Sequence, residues 1–147
     1  MILLLLAGLV VLVATNAAGL FGLGGRTQRT TAIGGTIAGA LLAAVPAVRV
    51  LLDGVPIVAR VGSALPGGDW VMTLDPLAAF FVLVMLFVGG ACLVYGVSYG
   101  VSYGVSYDAG PSGAHGPRST SLAGAGLVAS LVLVVTAGNV TLFMAAW

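Results

Sequence analysis

Apolar residues in this chain run in stretches of about twenty, the length that crosses a bilayer core as α-helix, and the charges fall in the gaps between them. Arg26, Arg29, Arg49, Asp53, Arg60, Asp69, Asp75, Asp108 and Arg118 are the complete set. This punctuation predicts an all-α membrane protein with four transmembrane helices, over about residues 2–24, 31–52, 76–98 and 119–136. A fifth apolar segment starts at Val140 and reaches only Trp147, so it is expected to be the beginning of a truncated helix. Helix 1 is expected to close on Gly22, Gly24 and Gly25, because glycine ends a helix without strain.

Between helices 2 and 3, over residues 55–74, the pattern changes to short β-prone runs, Val55–Val61 and Trp70–Leu74. Pro66, Gly67, Gly68 and Asp69 supply turn chemistry between them, which predicts a β-hairpin on the membrane surface, outside the cell. Trp70 is expected at headgroup depth. Asp75 followed by Pro76 reads as a capping carboxylate and a first-turn proline opening helix 3.

Small residues mark faces for close helix approach. Gly35 and Gly39, with Ala43 one turn on, form such a face on helix 2, and Ala123 to Gly126 form another on helix 4. Pro46 can kink helix 2, and Arg49 near its end is expected to reach the interface, with Asp53 close by. Ala137, Gly138 and Asn139 read as a tight turn. The unit Gly-Val-Ser-Tyr occurs three times from Gly96 to Tyr107. If helical, it aligns tyrosines on one slowly rotating face; alternatively it is a duplication tolerated at a helix end.

Composition sharpens the picture. The chain of 147 residues is 60% hydrophobic and 6% charged, against roughly a quarter charged in soluble domains. A net charge of +1 gives no basic field for nucleic acid. The one cysteine, Cys92, is expected to pack as a small hydrophobe. His115, the one histidine, lies in the flexible connection from Asp108 to Arg118 and reads as a solvated loop residue. No phosphate loop, nucleophile-base pair or ligand cluster is present, so no catalytic, cofactor-binding or metal residue is assigned and no cofactor is expected. Asn139-Val140-Thr141 fits a glycosylation sequon but lies too near the membrane face to serve as one. Arg26, Arg29 and Arg118 lie on the connections after helices 1 and 3. By the positive-inside rule they place those connections in the cytoplasm, with the hairpin and N-terminus outside.

The order of parts resembles a known family. Two helices, a hairpin, and a third helix opened by Leu74-Asp75-Pro76-Leu77-Ala78-Ala79-Phe80-Phe81 lead to a segment beginning Tyr-Gly. The run Leu133 to Trp147 (Leu-Val-Val-Thr-Ala-Gly-Asn-Val-Thr-Leu-Phe-Met-Ala-Ala-Trp) completes the likeness. Together they resemble the N-terminal part of the antiporter-like proton-translocating subunits of respiratory complex I (NADH:quinone oxidoreductase), multisubunit sodium/proton antiporters and energy-converting hydrogenases. The wording is most similar to hydrogenase 4 component B and formate hydrogenlyase subunit 3. The resemblance implies a multi-pass protein of the cell inner (plasma) membrane. Its partners would be the lipid bilayer and the other membrane subunits of a redox complex, which carry the cofactors.

Two departures stand out. The family has one short Tyr/Gly segment where this chain has three copies, and the buried glutamate and lysines of the family's proton path have no counterpart here. No family site residue is therefore carried over. The expectation is an N-terminal fragment that does not pump alone, because proton paths need titratable groups or connected water at membrane depth. The alternatives are a fragment of complex I chain 5 or of a sodium/proton antiporter subunit, or a small structural or assembly membrane protein.

Overall fold

The computed structural model describes residues 1–17, 25–62, 69–102 and 117–147. The element order is α1 (Ile2–Ala17), α2 (Gly25–Asp53), β1 (Ile57–Val61), β2 (Trp70–Leu74), α3 (Pro76–Ser102), α4 (Pro117–Val135) and α5 (Val140–Ala146). Four helices close into a bundle, α1 on α2, α2 on α3, α3 on α4, and α4 back on α1.

Burial follows the helical repeat. On α1 the inward stripe is Ile2, Leu5, Gly8, Leu9, Leu12 and Asn16, while outward positions remain apolar, with Leu3 79% and Val10 65% exposed. The same holds on α3, where Val82 and Leu86 are buried and Phe87 is 79% exposed. Helices apolar all round are those surrounded by protein or by lipid. Two helices are long and apolar enough to cross a membrane, Thr30–Asp53 at mean hydropathy 1.9 and Pro76–Ser98 at 2.7. The apolar helices Ile2–Ala17 and Ser121–Val135 are shorter. The expected extension of helix 1 to residue 24 lies outside the described residues, as do Asp108 to Gly116, which include His115.

Several boundaries differ from expectation. Helix α2 starts at Gly25, so Arg26 to Arg29 form its first turns rather than a connection; Arg and Gln are good helix formers and nothing there breaks the repeat. Its end is set by Gly54, which takes φ +67° and donates its N–H to the Val50 carbonyl at 2.9 Å, a left-handed glycine stop. Helix α3 continues through the first Gly-Val-Ser-Tyr unit to Ser102; Tyr103 to Tyr107 lie outside the described residues. Helix α4 starts at Pro117, inside the expected loop, because proline suits a first helical position.

The small-residue faces meet their partners. A Cβ built on Gly8 would lie 2.5 Å from the Ala43 amide nitrogen and 2.6 Å from the Gly39 carbonyl oxygen. Only glycine lets α1 and α2 approach so closely. Gly124 faces Leu93 of α3 in the same manner, at 2.9 Å. Pro46 is fully buried within α2, and Arg49 is exposed near its end. Cys92 is exposed on the outer face of α3 and does not pack in the interior as expected.

Candidate functional site

Three features sit on this bundle: a polar cluster inside it, a clasp at the hairpin end, and an open groove between α2 and α3.

The polar cluster joins three helices. Asn16, 3% exposed, donates from Nδ2 to the Leu12 carbonyl at 2.8 Å and to Thr36 Oγ1 at 3.1 Å. Ser121 Oγ donates to Asn16 Oδ1. Both ends of the Asn16 amide are thus engaged by side chains of other helices, as buried polar groups require. Asn16 is absent from the residues that the sequence pattern singles out. An asparagine set in the inward stripe of an apolar helix is the signal that could have found it, since polar side chains at depth join membrane helices.

The clasp ties the hairpin to the α4–α5 turn. Strands β1 and β2 pair antiparallel in the register Ile57↔Leu74 to Val61↔Trp70, with Met72 and Leu74 directed into the core. The free edge of β2 then accepts the turn. Thr73 donates its N–H to the Thr136 carbonyl at 2.8 Å, and Gly138 donates to the Val71 carbonyl at 2.7 Å. Asn139 serves both elements: Nδ2 donates to the Asp69 carbonyl at 2.7 Å, and Oδ1 caps α5 by accepting from Leu142 N–H at 3.1 Å. Gly138 is dictated by closeness, because a Cβ there would lie 2.5 Å from Thr73 Oγ1. Asp75 caps α3 as expected, accepting from Ala78 N–H at 2.6 Å.

Trp70 departs from its expected place in a wet interfacial belt. It is half-buried against the core, and its indole N–H is enclosed with no hydrogen-bond partner. The hairpin therefore does not lie loosely on a surface; one strand is built into the end of the bundle.

The groove between α2 and α3 encloses about 680 Å³ and is lined almost wholly by apolar side chains. Thr36 at one end is the residue bonded to Asn16, so the groove floor backs onto the polar cluster. Chemically these features hold helices together; they present no nucleophile, base or acid. Among the described residues no three histidine, cysteine, aspartate or glutamate side chains converge to hold a metal ion. Comparison with protein-family models, with curated proteins and with solved structures returns no match.

Proposed function

We propose that this chain is a structural part of a membrane-embedded, proton-translocating subunit of the hydrogenase 4, formate hydrogenlyase or complex I type, and that α1 and α4 cross the bilayer with α2 and α3. The reading is supported chiefly by where the resembling segments meet. The Leu74-Asp75-Pro76 junction and the turn from Thr136 to Asn139 are far apart in sequence, yet they belong to the one clasp through the Thr73, Gly138 and Asn139 hydrogen bonds. Lipid-compatible surfaces on every helix support the four-span arrangement: Leu3, Val10, Leu41, Phe87 and Leu127 are each at least 60% exposed.

In this role the chain contributes scaffold, not conduction. Between Thr30 and Val48 of α2 and between Leu77 and Ser98 of α3 there is no acidic or basic side chain, whereas proton paths through hydrocarbon are built on such groups. Electron transfer, and the cofactors for it, belong to partner subunits.

The test has two arms. Reconstituted alone in liposomes, the chain gives no dye-reported proton flux above lipid background. Affinity-purified from its own membranes, it brings down a complex with hydrogen- or NADH-dependent electron transfer. Robust flux from the chain alone, or its recovery without any redox activity, overturns the reading.

A further inference from the structure

We propose that the α2/α3 groove seats one acyl chain of an anionic phospholipid, in the leaflet on the side of the α1–α2 connection. The proposal rests on the membrane reading above.

The groove has the dimensions of one leaflet. It extends on α2 from Thr36 to Ala44 and on α3 from Leu83 to Tyr95, about 12 and 18 Å at 1.5 Å per residue. Half of a bilayer core is about 15 Å. Placed within the spans Thr30–Asp53 and Pro76–Ser98, the groove runs from near the middle of each helix to the end where α2 begins. Tyr95, 67% exposed, stands at that outer end, where amphipathic rings mark the interface. A partner helix would lie along the whole crossing of about 30 Å, so a groove of half that length fits a tail and not a helix.

The floor is made of small residues, Ala40 and Ala44 on α2 and Gly90 on α3. A Cβ on Gly90 would meet nothing within 4 Å, so the small side leaves an opening rather than a helix contact. The volume of about 680 Å³ falls within the roughly 300–1,000 Å³ of pockets that enclose small apolar molecules. Charge complementarity selects the headgroup. Arg29 occupies the helical position seven residues before Thr36, about two turns beyond the groove's outer end, with Arg26 in the preceding turn. Cationic positions at that depth favour a lipid phosphate carrying net negative charge.

Native mass spectrometry tests this. The full chain is reconstituted in vesicles of phosphatidylglycerol and phosphatidylcholine, extracted in mild detergent and analysed with its bound lipid. One phosphatidylglycerol is expected per chain, retained about fivefold over phosphatidylcholine. Gly90→Phe and, independently, Ala91→Phe should each lower retention about tenfold, a difference of 1.4 kcal/mol. Gly34→Phe adds the same ring at a site where a Cβ also meets nothing but lies off the groove, and it should leave retention unchanged. No retained lipid in the native chain, equal retention in both groove variants, or a dimer mass that only these variants abolish would each overturn the proposal. Alkaline carbonate extraction separates the two levels: release of the chain from membranes defeats the membrane reading itself, whereas a chain that stays and holds no lipid defeats only the groove assignment.

Discussion

Ser121 Oγ donates to Asn16 Oδ1, joining α4 to α1 between residues 105 positions apart. The same Asn16 amide reaches Thr36 of α2, so one side chain fixes the relative depth of three helices. Apolar packing alone would tolerate a helix sliding along its neighbour; a buried amide with two partners does not, because a shift strands polar groups in a medium without water.

The first prediction follows. Asn16→Ala should destabilise the bundle by about 1–2 kcal/mol, given that interhelical hydrogen bonds in membranes average roughly 0.6 and reach about 1.7 kcal/mol. Ser121→Ala should cost less, since it removes one of the two contacts. A double-mutant cycle in denaturing-detergent titrations should give a positive coupling of about 0.5–1.5 kcal/mol. Additive losses would show that the pair is not a working contact.

The α1/α2 contact gives a second prediction. Gly8→Ala places a methyl group 2.5–2.8 Å from backbone and Cβ atoms of α2, so the helices must part, at a cost of about 1–3 kcal/mol. Gly34→Ala meets open space and should gain up to about 1 kcal/mol from helix propensity. Opposite signs for two identical substitutions in one bundle, read from detergent unfolding midpoints, are the expected result. A neutral Gly8→Ala would count against the close approach.

Much of this architecture was legible in the sequence, and the reasons are physical. Apolar run lengths located the helix cores, Asp75-Pro76 located the start of α3, and the Pro66–Asp69 turn chemistry located the hairpin, since each is a local preference written in a few residues. Helix ends were less legible. Arg26 to Arg29 look like a connection by charge but are good helix formers, and the helix runs through them. Least legible were contacts between distant segments. Nothing in Thr136 to Asn139 announces that this turn will complete the edge of β2, and nothing local tells which way Cys92 or Trp70 faces, because both depend on how whole helices are rotated.

A third prediction concerns the clasp. Asn139→Ala removes the α5 cap, worth about 1 kcal/mol, and the bond to the Asp69 carbonyl in one step. Faster hydrogen exchange is expected at the amides of Thr73, Gly138 and Leu142, with helix α2 unchanged. Asn139→Asp keeps the capping oxygen but loses the donor to Asp69, and should protect Leu142 while exposing the hairpin side. Uniform change across the chain in both variants would show that the turn and hairpin are not locally coupled. Because both ends of the Asn139 side chain are engaged, the Asn139-Val140-Thr141 sequon should remain unmodified in the folded protein.

The single cysteine supplies the fourth prediction without engineering. Cys92 is exposed on the outer face of α3, sixteen residues after Pro76 and about 24 Å along the helix, inside a hydrocarbon core of roughly 30 Å. A nitroxide attached there in lipid vesicles should collide more often with oxygen, which concentrates in acyl chains, than with a water-soluble nickel chelate. A label at Val58, exposed on β1, in a Val58→Cys, Cys92→Ala chain should show the reverse order. The two labels report on different claims. Nickel accessibility at Cys92 would mean that α3 faces water and would remove the membrane from the account. Oxygen-dominated collisions at both sites would instead keep the span and sink the hairpin into the bilayer, which the antiparallel pair cannot sustain, because the outer edge of β1 would carry unpaired backbone groups into hydrocarbon.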